Sequence, residues 1–283
     1  MKVTGDINQV RQIRWARPAT SWGFVPTMGY LHEGHLSLVR RAKAENEQTA
    51  VSIYVNPTQF APNEDLASYP RDLARDLALL EAEGVDLVFT PGDGVMYPPG
   101  FQTTVTVTAL SRPLEGSARP THFQGVATVV AKLFNIVQPT RAYFGQKDAQ
   151  QAILLRQMAR DLNFNVTIIT CPTVREKDGL AMSSRNKYLT PEQRRAATVL
   201  YRALNQAKDA WANGERNGRA LRQIMRQTIN AEPLARLDYV SAADPATLQE
   251  LEEVEVKEEV LLSTAVFFGK TRLIDNVLIG GAS

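Results

Sequence analysis

The chain has 283 residues, 44% hydrophobic and 22% charged, with 32 basic and 30 acidic side chains. That is a globular composition, long enough for one large domain or two moderate ones, and it excludes disorder and a small stapled scaffold. A formal charge of +2 supplies no face that neutralises many phosphates, so neither nucleic acid nor a membrane surface is an expected partner. Any anionic ligand must then be held by a local site. The lone Cys171 excludes an internal disulfide, and the first 30 residues lack a basic start with an apolar stretch behind it. No apolar run approaches the roughly 18 residues of a membrane span. A cytoplasmic location is expected.

In chain order, Asp6 reads as the cap of a helix carrying Ile7, Val10 and Ile13, and residues 22–25 as a buried strand stopped by Pro26. The helical stripe Leu36, Val39, Ala42 follows, then a strand over 50–55 that ends at Asn56 and Pro57. A helix over 72–83 closes at Gly84, and the apolar run 85–89 is the next strand. Thr103 to Thr108 alternates around Val105-Thr106-Val107 and reads as a strand that could form a sheet edge open to a second subunit. A helix over 126–137 ends before Pro139, and Tyr143-Phe144 is a short strand. The helix after Asp148 places Ile153, Leu154, Met158 and Leu162 on one stripe, and 166–169 is a further strand. Strands alternating with helices imply right-handed βαβ units, so an α/β, Rossmann-like, doubly wound parallel sheet is expected.

Beyond Cys171-Pro172 the pattern changes to a polar loop (176–186), two charged helices (191–213 and 219–230) and strands at 238–241, 260–268 and 273–278. These describe a smaller C-terminal α+β domain. The expected division is residues 1–174 and 175–283, with the Lys177-Asp178-Gly179 turn as a hinge. The stretch 250–259 holds six Glu and one Lys and reads as a solvated face.

Chemistry concentrates in Pro26-Thr27-Met28-Gly29-Tyr30-Leu31-His32-Glu33-Gly34-His35, between the first buried strand and the next helix. Open α/β sheets bind ligands at that end of their strands. His32 and His35 face one side of a helix start, where free backbone N–H groups and the helix dipole favour a phosphate, and Gly34 lets it come close. Either imidazole can donate to a phosphoryl oxygen as charge builds. A zinc peptidase needs two His at i, i+4 around a Glu, and this spacing is i, i+3; a purely structural role as helix caps stays open. Gly145-Gln146-Lys147-Asp148 offers a cation for β- or γ-phosphate oxygens and a carboxylate that can cap a helix or reach a ribose hydroxyl. Met182-Ser183-Ser184-Arg185-Asn186 offers hydroxyl and guanidinium donors for a triphosphate. Alone, each is a common surface turn.

Together with Asn56-Pro57-Thr58-Gln59-Phe60 and the segment from Arg119-Pro120 through His122-Phe123 to Gly125-Val126, these motifs occur in one order over nearly the whole chain. The combination resembles the pantoate–β-alanine ligase family of the HIGH-type nucleotidyltransferases. The resemblance implies a two-step ligation: ATP and (R)-pantoate give pantoyl adenylate and pyrophosphate, and the amine of β-alanine then displaces AMP. It implies Mg²⁺ with the triphosphate and a homodimer. It places ATP on Met28 to His35, on Gly145 to Asp148, on Val174 and on Met182 to Arg185, with His35, His32 and Lys147 as catalytic groups. Gln59 is implied as a contact to pantoate and β-alanine, Gln151 as a contact to pantoate, and Asn56 as a further substrate residue. The smaller domain is implied as a lid that keeps water from the mixed anhydride.

The physical reading agrees: pantoate presents a carboxylate, two hydroxyls and a gem-dimethyl group, so amides beside apolar walls such as Pro26, Met28 and Phe60 suit it. Gln146 and Ala149 stand where the family often has Glu and an aromatic. Arg119 and His122 are open between substrate contact and a structural role, and Cys171 reads as a small buried hydrophobe. The competing readings are a relative that transfers a nucleotide to a phosphorylated acceptor, a noncatalytic ATP-binding module, and a tRNA synthetase fragment. Paired glutamines in place of basic side chains argue against the first, and the near-zero net charge against the last.

Overall fold

The computed structural model describes residues 1–62, 64–254 and 259–281. They divide into two compact units: Met1–Gln146 with Gln150–Pro172, and Lys147–Ala149 with Thr173–Ser283.

The first unit runs β1 (Lys2–Thr4), α1 (Ile7–Trp15), β2 (Trp22–Thr27), α2 (Glu33–Glu45), β3 (Gln48–Ile53), α3 (Leu73–Ala82), β4 (Leu87–Phe89), the short α4 (Asp93–Met96) and α5 (Glu115–Ala118), α6 (His122–Val137), β5 (Arg141–Gly145), α7 (Ala149–Asp161) and β6 (Thr167–Cys171). Its six strands lie in the order β1-β4-β3-β2-β5-β6, and every pairing is parallel. This is the Rossmann-like sheet that the alternation of periods implies. The chain moves from β2 to β3 on one side and later returns to place β5 on the other. The crevice beyond β2 and β5 is therefore the switch point where such sheets seat a ligand. Helix α2 turns Leu36, Leu38, Val39 and Ala42 inward, and each buried Leu or Val contributes about 1.5–3 kcal/mol. Val25, Val51, Val88 and Tyr143 of the sheet share a core with Leu38, Val39 and Ala42.

Four expectations shift. Pro26 does not stop β2, which runs on to Thr27: Trp22 O accepts from Thr140 N, so the even positions face β5, and that ladder has ended at Phe24 before Pro26 could miss a bond. β1 escapes a periodicity reading because three residues with an exposed start carry too little pattern. α6 begins at His122 rather than at 126. The alternating segment 103–108 is not a strand; Val105 N donates to Thr128 Oγ1 at 2.9 Å, so its backbone is met by a side chain on α6 rather than by a ladder.

The second unit holds α8 (Pro191–Ala196), α9 (Val199–Ala212), α10 (Gly218–Asn230), β7 (Ala235–Ala243), β8 (Glu259–Phe268) and β9 (Thr271–Gly280). The strands form an antiparallel sheet in the order β7-β8-β9. Leu200, Ala203, Leu204, Leu221 and Met225 of the helices share a core with Val260, Leu262, Val266 and Phe268 of β8. The helix expected over 191–213 is two. Thr198 Oγ1 donates to Arg195 O at 2.8 Å and Thr198 N turns to the same carbonyl, a local competition that tightens and breaks the helix.

The Lys177–Gly179 turn, read as a hinge, is the tip of a hairpin inside this unit. Arg175 bridges Ala181, and Arg194 holds both Glu176 and Asp178. In the acidic run, Glu250 and Glu252 pair with Arg222 of α10 instead of facing only solvent; residues 255–258 of that run lie outside the described residues. Among the described residues, no helix is long and apolar enough to cross a membrane.

Candidate active site

The corner between β2 and α2 is built by a buried carboxylate. Tyr30 and Leu31 donate their N–H groups to Asp76 of α3 at 2.7 and 2.8 Å, and this holds Tyr30 in a left-handed conformation at φ 52°. Burial raises the Asp76 carboxyl above its usual range, against the lowering effect of those two bonds. His32 caps α2: its Nδ1 accepts from Gly34 N at 3.1 Å, and His35 Nδ1 accepts from His32 N at 3.3 Å. The rings lie 4.1 Å apart between centroids.

This arrangement corrects one expectation and sharpens another. Six backbone N–H groups of this corner are not free for a phosphate. Those of Gly29, Tyr30, Leu31, His32, Gly34 and His35 are already bonded inside the protein. An Nδ1 that accepts carries no proton, so each neutral imidazole holds its proton on Nε2. Each ring can thus accept at the cap with Nδ1 and still carry a donor at Nε2. Met28, Tyr30, His32, Gly34 and His35 are half-buried. Leu31 lies in the apolar core, and the Glu33 side chain pairs with Arg40 on the helix surface.

Gln59 follows β3 in a single turn, Pro57–Gln59, and its amide is oriented by a relay. Gly125 O can only accept, so Asn56, at 3.2 Å, must present Nδ2 to it. The same Nδ2 donates to Gln59 Oε1 at 3.1 Å, while Asn56 Oδ1 takes the Tyr97 hydroxyl at 2.8 Å. Gln59 Nε2 is left facing Met28 Sδ at 3.1 Å, a weak acceptor. The donor end of the amide is therefore the one turned toward Met28. Asn56 is 1% exposed and spends both its donors inside the protein, so it acts on Gln59 rather than outward.

Arg119 and His122 hold the backbone of the same turn. Arg119 pairs with Glu64 and donates to Gln59 O at 3.2 Å, and His122 Nδ1 lies 2.9 Å from that oxygen. Burial works against the Glu64 charge, but the bonds from Arg119 outweigh it and hold the carboxyl below its usual range. Burial, helped by Arg119, pushes His122 down to about 4, so the ring is neutral and donates from Nδ1.

Adjacent glutamines on α7 divide their roles. Gln150 is buried, accepts from Glu115 N at 3.0 Å, and donates to Leu110 O and Pro113 O at 2.9 and 2.8 Å. Gln151 is half-buried, and its amide makes no hydrogen bond among the described residues.

In the second unit, Lys147 Nζ lies 3.5 Å from Asp148 Oδ1. Hairpin pairing brings Met182 N to Val174 O at 3.0 Å, which juxtaposes two residues that are apart in sequence. Ser183 caps the turn Ser184–Tyr188 by accepting from Arg185 N. Gly145, Gln146, Lys147, Asp148, Val174 and Met182 to Arg185 are all half-buried. No group of three or more His, Cys, Asp or Glu converges as a metal cage among the described residues. Cys171 is buried, and burial raises its thiol above the ordinary range, which makes it a poor nucleophile.

Sequence reasoning missed Asp76 and Tyr97, and named Gly125 only as part of a motif. Their signals were a carboxylate inside a helix, an isolated aromatic and a glycine at a helix start, none of which gives a role without the fold.

A Rossmann-like sheet, with a histidine pair and a buried glutamine at the carboxyl ends of adjacent strands, defines a nucleotide-binding α/β enzyme. The sequence profile described as pantoate-beta-alanine ligase matches residues 2–278. A pantothenate synthetase of Roseiflexus sp. (strain RS-1) is 62% identical over 279 residues, covering 99% of each chain. One of Chloroflexus aggregans is 62% identical over 274 residues, covering 96% of this chain and 99% of that one. The crystal structure of pantothenate synthetase from Thermus thermophilus superposes with TM-score 0.92 at 48% identity, over 98% of this chain and 99% of that one. A pantoate-beta-alanine ligase from Francisella tularensis, complexed with beta-gamma ATP and beta-alanine, gives TM-score 0.80 at 38% identity, covering 98% and 97%. The chain belongs to the pantoate–β-alanine ligase family and is a ligase.

Proposed function

We propose that this chain condenses (R)-pantoate with β-alanine through a pantoyl adenylate. A pantoate carboxylate oxygen attacks the α-phosphorus of ATP in line, and the bond to the bridging oxygen of pyrophosphate breaks. The amine of β-alanine then attacks the acyl carbon, AMP leaves, and the amine proton is lost to give the amide. The work asked of the protein is positioning and charge stabilisation. His32 and His35 donate from Nε2 to phosphoryl oxygens and Lys147 neutralises the departing pyrophosphate. Met28 to His35, Gly145 to Asp148, Val174 and Met182 to Arg185 contact the nucleotide.

Gln59 Nε2 donates to the pantoate carboxylate, and Gln151 holds the same acid. A neutral amide orients the carboxylate without an ion pair that would blunt its attack. Mg²⁺ would enter as the magnesium complex of ATP, held chiefly by phosphate oxygens and its own waters. The single observation behind this reading is that both Nδ1 atoms are used as cap acceptors, which fixes both Nε2 atoms as donors.

The test is mass spectrometry of the protein with ATP, Mg²⁺, (R)-pantoate and β-alanine, each omitted in turn. The expected result is pyrophosphate release that requires pantoate but not β-alanine, and pantothenate with AMP only in the full mixture. Pyrophosphate release that requires β-alanine would overturn the adenylate. ATP binding with no turnover of any acid would return the chain to the noncatalytic module.

A further inference from the structure

Two segments assigned to ATP in the proposed function, Lys147-Asp148 and Met182 to Arg185, are anchored on neighbouring residues of one strand. Asn276 on β9 is 5% exposed and donates from Nδ2 to Lys147 O at 2.8 Å. Its own N–H is fixed by Asp275 Oδ1 at 2.8 Å. Asp275, 2% exposed, receives both arms of Arg175 at 2.6 and 3.0 Å. The same guanidinium donates to Gly179 O at 3.0 Å and lies over the Tyr201 ring at 4.7 Å.

Arg175 and Gly179 belong to the hairpin whose far strand continues into Met182 and Ser183. That hairpin has little freedom to shift. Gly179 sits at φ +93°, and a Cβ there would lie 2.0 Å from the Tyr201 ring. A carboxylate this deeply buried is costly unless its partner is held in a fixed geometry. A bidentate Arg that also bonds a hairpin carbonyl provides that geometry.

The geometry assigns Asp275 and Asn276 as positioning residues for ATP: Asn276 places the Lys147 ammonium through its backbone carbonyl, and Asp275 places the Met182 to Arg185 loop through Arg175. Neither touches substrate. β9 is thus a common ruler for a cation and a set of hydroxyl and guanidinium donors that lie far apart in sequence. This rests on the proposed ATP site, so the experiment separates the two ideas.

The variants are Asn276→Ala, Lys147→Ala and the double variant, assayed for KM of ATP, KM of pantoate and kcat, with Tm as a check on folding. Asn276→Ala is expected to raise KM for ATP about tenfold and KM for pantoate less than twofold. In the Lys147→Ala background it should add less than twofold, because a residue acting through Lys147 has nothing left to place. A merely structural loss lowers the folded fraction and hence kcat, leaves both KM values in place, and repeats its cost in either background. Equal effects in both backgrounds, or an unchanged KM for ATP, overturn the inference. If Lys147→Ala itself leaves KM for ATP unchanged, the ATP site is misread and the inference falls with it. Asp275→Asn gives an independent arm: it should raise KM for ATP in the Lys147→Ala background as much as in wild type, since it works through Arg175.

Discussion

Gln150 and Gln151 show what a single position on a helix decides. Both are amides at the start of α7, yet the three bonds of Gln150 fasten the 110–115 loop, while Gln151 bonds nothing among the described residues. Gln150→Ala is expected to cost roughly 2–4 kcal/mol, from three bonds and the buried groups left unpaired, with KM for pantoate unchanged. Gln151→Ala should leave the unfolding midpoint in place and raise KM for pantoate at least tenfold. Urea unfolding and steady-state kinetics on both variants would expose an exchange of these roles. His35 is a different balance of the same two jobs. His35→Ala loses a cap acceptor at 3.3 Å, worth about 1 kcal/mol, but should lower pantoate-dependent pyrophosphate release by at least a hundredfold; near-normal release would remove His35 from the chemistry. Sequence named both histidines because their spacing is local. Gln151 was singled out by the family resemblance alone; local pattern does not tell the two glutamines apart, because which one turns inward depends on where the 110–115 loop lies.

At the scale of the element, α6 positions the Gln59 turn three ways: Gly125 O fixes Asn56, the bare Cα of Gly125 allows contact, and His122 at the helix start grips Gln59 O. A Cβ at Gly125 would lie 2.4 Å from Thr58 O. Gly125→Ala should therefore push the turn away, cost about 1–3 kcal/mol and raise KM for pantoate more than for ATP. A variant with unaltered kinetics would show that the turn needs no such contact. His122 supplies a pH dependence whose sign is fixed. Its folded pKa is lowered to about 4 from an ordinary 6.5, so between those values the unfolded chain binds a proton that the native one refuses. Stability is full above about pH 6.5 and falls with pH toward 4, by at most about 1.4 kcal/mol per pH unit from this group. The N-terminus of α6 acts in the same direction, because it disfavours an imidazolium. Urea midpoints of wild type and His122→Gln from pH 4 to 7 should converge as pH falls; parallel curves would place the dependence elsewhere.

Over the whole molecule, what the sequence disclosed was what its periods encode. The βαβ alternation of β2, α2 and β3 and the buried Leu154 and Met158 of α7 are local patterns, so the α/β class could be read directly, although Leu162, expected on the same stripe, lies past the helix end and is 51% exposed. What escaped depends on tertiary partners: Pro26 survives inside β2 because the β5 ladder has already ended, and the alternation of 103–108 finds a helix side chain instead of a strand. The candidate site divides in the same way. His32, His35, Asn56 to Gln59, Lys147 and Ser183 to Arg185 were legible as motifs, whereas Asp76, Tyr97, Asp275 and Asn276 act on those motifs across long sequence separations and left no local mark. Binding then offers a test that does not depend on turnover. A ligand that binds only the native state stabilises it by about 2.7 kcal/mol at a hundred times its Kd, on the order of 5–15 °C in Tm for units of this size. MgATP alone should produce that shift in wild type, because adenylate formation needs ATP bound before any amine arrives. Lys147→Ala should lose most of the shift. Gln59→Ala should keep it, since Gln59 addresses the acid and not the nucleotide. A Gln59→Ala protein that no longer responds to MgATP would mean that the amide oriented by Asn56 serves the nucleotide, and the division of the site between phosphate donors and acid-binding amides would have to be redrawn.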